Sequence, residues 1–172
     1  MLTMSVDVKV KGEKIMYSFY LDMAVFDKLC SATKDNPMIE NGGLLFAKFK
    51  PKKLIVTDVI NAGPLSKRNK YEIILNKEEL LTQALELTGN ARYFVGTWHS
   101  HPPNASLQPS LMDLTTMKNI GKNLVNVYPP VFLIVKYVNN KLIFQAYSLN
   151  EKLEIIGIYF KNMSNLKISE LD

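Results

Sequence analysis

Apolar residues along this chain alternate with polar ones in some stretches and recur at helical spacing in others, and each pattern marks an element. Residues 6–10 and 15–21 alternate like two strands, joined at Lys11-Gly12-Glu13-Lys14 as a hairpin. Asp22 is placed to cap a helix running to about Lys34, with Val25, Phe26 and Leu29 on its inner face. Residues 43–49 and 54–60 form a second strand pair turned at Pro51-Lys52-Lys53, and a polar loop at 61–70 leads to a short strand at 71–75. Asn76 caps the clearest helix, from Lys77 to about Thr88, whose apolar stripe is Leu80, Leu81, Ala84 and Leu87, and Gly89-Asn90 ends it. A strand at 93–98 follows, then a helix from Ser110 to about Leu124 with its end near Gly121. Residues 131–138 and 141–149 read as a hairpin around Asn139-Asn140, a turn-favouring pair, and 155–160 as one more strand. The final dozen residues are polar and expected to be mobile. Hairpins mixed with helices give an α/β class with a mixed, largely antiparallel sheet. With no repeat, low-complexity tract or second hydrophobic unit, residues 1–172 read as a single domain.

Composition narrows this picture. A chain of 172 residues, 47% hydrophobic, can bury roughly 70% of its unfolded surface, enough for a core without staples. The single cysteine, Cys30, excludes an intramolecular disulfide and a four-cysteine zinc site, and its place on the apolar side of the first helix makes it core filler. The formal charge of +5 is spread over scattered lysines such as Lys50, Lys52, Lys53, Lys67, Lys70 and Lys118. A nucleic-acid partner would require a concentrated basic patch with aromatic platforms, and none stands out. The start lacks a basic region followed by an apolar core, and no apolar run reaches bilayer length. A cytoplasmic setting with neither membrane nor nucleic-acid partner is the expectation.

The chemistry is concentrated in His99-Ser100-His101-Pro102, followed by Ser110 and Asp113. These are the only histidines, one residue apart, just after the apolar run from Tyr93 to Trp98. Side chains two apart on a strand share a face with Cα atoms roughly 7 Å apart, a workable bite for one metal ion. Asp113 adds a carboxylate and leaves a fourth position for water, the pattern of catalytic rather than structural zinc. Plainer readings exist for each part alone. The histidines could decorate a strand end, and Ser110 with Asp113 could be an ordinary capping box. Upstream, Glu40 precedes Asn41-Gly42-Gly43, where the paired glycines permit unusual backbone angles and close approach of another chain. A carboxylate there reaches the same metal if the two segments converge.

Together, Glu40 with its Gly-Gly context, His99-Ser100-His101-Pro102 and Pro109-Ser110-x-x-Asp113 resemble the JAMM motif of the MPN-plus metalloproteases. Gly96-Thr97-Trp98 and the segment from Asn61 to Arg68 resemble the prokaryotic branch, which includes enzymes encoded beside ubiquitin-activating-like and conjugating-like proteins in anti-phage defence. The resemblance spans roughly residues 20 to 148. In one departure, eleven residues lie between His101 and Asp113, one more than usual, the extra one falling within 103–108. The resemblance implies a single MPN (JAB) domain of deaminase-like architecture, a mixed curved sheet flanked by helices. It implies one zinc ion held by His99, His101 and Asp113, with Glu40 as general base and Ser110 as oxyanion donor. Ser110's capping and catalytic roles would compete for one side chain. The implied reaction is hydrolysis of the peptide or isopeptide bond after the tail of a ubiquitin-like protein, with the loops at 61–70 and 103–109 as groove walls. The alternatives are a non-catalytic scaffold and a metallohydrolase of a small amide or sulfur-carrier precursor. Trp98 and Pro102 are assigned to packing, and Lys67 and Arg68 to solvent. A zinc deaminase is excluded, since the Pro-Cys-x-x-Cys element it requires is missing.

Overall fold

The computed structural model describes residues 2–10 and 13–158, with side chains from Tyr17 onward. Its elements are β1 (Leu2–Val10), β2 (Glu13–Leu21), α1 (Met23–Lys34), β3 (Gly42–Lys50), β4 (Lys53–Asn61), β5 (Lys67–Arg68) and β6 (Ile73–Ile74). They continue with α2 (Lys77–Gly89), β7 (Tyr93–Ser100), α3 (Leu111–Gly121), β8 (Phe132–Val138), β9 (Lys141–Leu149) and β10 (Ile155–Ile158). The polar tail and the last two residues of the strand expected at 155–160 lie outside the described residues, as does the Lys11-Gly12 part of the first turn.

Eight strands form one sheet in the order β1-β2-β4-β3-β7-β8-β9-β10, and β5 pairs with β6 in a separate ribbon. Only β2–β4 and β7–β8 are parallel. The sheet curls until β1 and β10 approach one another, a half-barrel. Helix α1 covers one face through Val25 and Leu29, which meet Phe19, Leu45, Trp98 and Leu133 in the largest core cluster. Helix α3 covers the other face with Met117 over Phe132, Ile134 and Leu149, beside α2 with Leu80 over Phe46 and Ile60. β8 therefore has cores on both sides. Its Phe132, Leu133, Ile134 and Val135 are all buried, which is why its sequence is an unbroken apolar run rather than an alternation.

Local signals explain the boundaries. Asp22 accepts from Ala24 N at 3.0 Å to cap α1, and Asn76 accepts from Glu79 N at 3.0 Å to cap α2. Asn139 and Asn140 take φ of 50° and 59°, the two positive angles required by a tight two-residue hairpin turn. Thr33 is tolerated in the α1 core because its hydroxyl donates to Leu29 O at 2.8 Å. Gly96 has φ of +148°, and a Cβ there would lie 1.9 Å from Val131 O, so only glycine lets β7 pass β8 at this point.

Two expectations are corrected, the buried place of Leu81 and the loop at 61–70. Leu81 is 55% exposed, because the stripe of α2 that meets the sheet runs through Leu80, Ala84 and Leu87, with Leu81 rotated about 100° away from Leu80. α3 ends at Gly121, the glycine that marked its end in the sequence, and residues up to Val127 continue as turns. The loop at 61–70 contains β5, paired to β6. Lys67 and Arg68 are exposed as expected, with the Arg68 guanidinium donating to Ala62 O and to Gly63 O. Among the described residues no helix is long and apolar enough to cross a membrane.

Candidate metal centre

The site forms where β3 begins and β7 ends. These strands are antiparallel neighbours with Gly42 opposite His99 and Gly43 opposite Trp98, so Glu40, just before one, comes beside the histidines leaving the other. Close packing at Gly42 accompanies this approach, since a Cβ there would lie 2.8 Å from Trp98 O of β7, while one at Gly43 would lie 1.8 Å from Ile60 O of β4 on the other side. Neither glycine of the pair has positive φ, so their service here is close approach rather than unusual backbone angles. Ser100, the residue between the histidines, ties the two segments together. Its hydroxyl accepts from Asn41 N at 2.8 Å, and its N–H donates to Asn41 O at 2.7 Å. Glu40 N donates to Asn69 O at 2.9 Å, which fixes the carboxylate's segment against the β5–β6 turn.

His99, His101 and Asp113 offer donor atoms that all lie within 4.8 Å of one another. The two Nε2 atoms are 3.0 Å apart, His99 Nε2 is 3.1 Å from Asp113 Oδ1, and His101 Nε2 is 3.6 Å from Asp113 Oδ2. Donors shared by one tetrahedral ion at about 2.0–2.1 Å would stand roughly 3.3 Å apart, so the spacing fits. The chemistry fits as well. His101 Nδ1 meets Ser106 O at 2.6 Å; donating its proton there leaves the Nε2 lone pair facing His99. Two ring nitrogens face to face beside a carboxylate are a donor set that a divalent cation satisfies.

Asp113 enters from the first turn of α3 in a capping box with Ser110. Ser110 N donates to Asp113 Oδ2 at 2.7 Å, and Asp113 N donates to Ser110 Oγ at 3.2 Å. Capping uses the Ser110 oxygen as an acceptor, and its O–H, a separate donor, faces the Asp113 carboxylate. Accepting from Asp113 N does not itself use the O–H, so the cap and an oxyanion contact can share this side chain if the O–H turns from Asp113 to the carbonyl. The extra residue between His101 and Asp113 is absorbed in the loop 102–109, and Asp113 still reaches both imidazoles.

Burial works to raise the Asp113 carboxyl, but the imidazoles of His101 and His99 beside it outweigh burial and hold the group well below the usual carboxylate range. Burial lowers His101, yet in its protonated form the ring can bond both Asp113 and Ser106, which lifts it above the ordinary histidine value. Glu40, 7% exposed, is pushed up by burial, with His99 and His101 partly offsetting that rise.

All five residues border one cleft of two adjoining recesses, about 360 and 400 Å³, which share Glu40, Tyr71 and Ser110. The first runs past His99 and Asp113 toward Ile73, Ile74 and Ile120; the second runs past His101 toward Pro102, Asn104 and Lys70. The wall expected from the loop at 61–70 is supplied by residues 70–75. The earlier part of that loop is drawn away, with Leu65 N and Ser66 Oγ bonded to Glu79 of α2. Ser100 and Asn41 were not singled out in the sequence; a serine enclosed between two candidate ligands was the available signal.

Comparison with known proteins agrees with this geometry. The family described as prokaryotic homologs of the JAB domain matches residues 23–159. No curated protein matches the chain in sequence. Among solved structures, the solution structure of protein DSY2949 from Desulfitobacterium hafniense is similar in fold, with a TM-score of 0.57 and 16% identity over 84% of this chain and 90% of that one.

Proposed function

The chain belongs to the prokaryotic homologs of the JAB domain, and from that premise we propose that it is a zinc-dependent peptidase or isopeptidase cutting after the C-terminal tail of a ubiquitin-like protein. The observation that carries this reading is the convergence of three donor atoms within 4.8 Å of one another, in a cleft that buried Glu40 also lines. His99, His101 and Asp113 would hold the metal. When bound, it supplies Lewis acidity that lowers the pKa of water from 15.7 to about 7.

The rest is the work of the chain's own residues. Glu40 accepts a proton from the attacking water and delivers it to the leaving amine, and its upward-shifted pKa suits a group that must both take and return a proton. The O–H of Ser110, turned from Asp113, donates to the carbonyl oxygen as it gains charge; losing such a donor typically costs ~10²–10³ in rate. Ile73 and Ile74 border the cleft, and β6 offers a strand along which an extended tail can be bonded through its main chain. Small glycines at the tail's end would pass a narrow groove where bulkier residues would not. By the same resemblance, the reaction belongs beside ubiquitin-activating-like and conjugating-like enzymes in a bacterial pathway, anti-phage defence among them.

The family includes inactive members as well as peptidases, so the deciding experiment measures metal and cleavage in one preparation. Wild-type protein should bind one zinc and cleave ubiquitin-like fusions or conjugates. Glu40→Gln should bind the same zinc and lose about 10²–10⁴ in rate. Zinc-loaded wild type that cleaves no such substrate would overturn the reading in favour of a scaffold or a small-amide hydrolase.

A further inference from the structure

The loop 102–109, which carries the extra residue between His101 and Asp113, is fastened through its carbonyl groups from the neighbouring strands. Lys136 Nζ donates to Ala105 O at 2.7 Å and to Pro103 O at 3.3 Å. Tyr147 Oη donates to Leu107 O at 2.8 Å. Ser106 lies between these fastenings, and its carbonyl is the one that meets His101 Nδ1 at 2.6 Å. Lys136 breaks the apolar run of β8 at the end of the row formed by Phe132 and Ile134, the row that faces α3. A half-buried ammonium in that position costs desolvation unless its donors are used. Two loop carbonyls use them. Tyr147 is 4% exposed, and its hydroxyl is likewise engaged with the loop.

We propose that Lys136 and Tyr147 are positioning residues for the metal centre: by strapping the loop 102–109 they hold the Ser106 carbonyl on His101 Nδ1 and so select the ring form whose Nε2 lone pair faces His99 and Asp113. The inference rests on the reading of this site as a metal centre. Without the strap, the Ser106 carbonyl can turn to water. The imidazole is then free to carry its proton on Nε2, donate it to Asp113 and cease to be a ligand. Partners of this kind behind a metal-binding histidine typically account for about 10–100-fold in metal affinity.

The test uses Lys136→Met, Lys136→Arg and Tyr147→Phe in the full chain. Nitrogen NMR of the metal-free protein, at a pH where both rings are neutral, reports which nitrogen carries the proton. With only two histidines in the chain, the signals are assignable. Zinc affinity is measured by competition with a chelator. Wild type should show His101 protonated on Nδ1. Lys136→Met and Tyr147→Phe should show mixed ring forms and zinc affinity lowered about 10–100-fold, and Lys136→Arg, which keeps cationic donors, should recover both. Leu54→Ala, a change in the core on β4, which neighbours only β2 and β3, should lower thermal stability and leave both readouts unmoved. A folded Lys136→Met or Tyr147→Phe protein with the wild-type ring form and unchanged zinc affinity would overturn the proposal. If wild type takes up no zinc, the metal-centre reading fails, whereas the ring form still decides whether the strap acts on His101.

Discussion

Glu40 is buried to 7% exposure, and burial lifts its pKa above the ordinary 4.5. A carboxyl raised on folding contributes stability that is present below its unfolded pKa and lost as pH rises through the folded one. Charged Glu40 therefore weakens the metal-free fold at neutral pH. Glu40→Gln is expected to raise the melting temperature of chelator-treated protein at pH 7 while removing activity, with the gain vanishing at pH below about 4; thermal melts across pH check this. Tyr128 follows the same sign at the alkaline end. Its hydroxyl donates to Phe94 O at 2.6 Å, and burial raises its pKa above 10.0. Wild type should lose stability as pH climbs through that raised value. Tyr128→Phe should lack this loss but cost about 1 kcal/mol at neutral pH, a crossover that denaturant titrations at the two pH values would reveal. The titrating side chains were visible in the sequence; their burial, which sets the direction of each shift, was not.

At the scale of elements, helix periodicity identified α2 but misjudged the edge of its buried stripe. Apolar positions at helical spacing mark an arc, and the rotation of the helix against the sheet decides which part of that arc is covered. Leu80 is 3% exposed and Leu81 is 55% exposed. Leu80→Ala is expected to cost about 2–5 kcal/mol, whereas Leu81→Gln should stay within about 0.5 kcal/mol. Equal losses for the two in chemical denaturation would contradict the packing described. The strands carry a second test. A methyl group at Gly43 would meet Ile60 O at 1.8 Å, so Gly43→Ala must part β3 from β4. A markedly lowered melting temperature or failure to fold is the expected result, and a melt equal to wild type would contradict the close approach described. The caps Asp22, Asn76 and Ser110 and the Asn139-Asn140 turn were legible because each acts through residues adjacent in sequence.

For the molecule as a whole, a metal that binds only the folded state stabilises it by mass action. Zinc at a hundred times its dissociation constant should add about 2.7 kcal/mol, seen as a melting temperature raised by several degrees and returned by a chelator. His101→Ala should abolish that response, since it removes one of the three donors. The sequence by itself determined the order of helices and strands, the caps and turns, and the identity of the candidate ligands, because hydrophobic period, capping chemistry and residue spacing are properties of neighbours along the chain. Only the tertiary structure decided that Glu40, 59 residues before His99, shares their cleft, that residues 70–75 form its wall, and that Lys136 and Tyr147 hold the loop behind His101. Those relations arise from strand register and close backbone approach across the sheet, and they join groups that local pattern cannot relate.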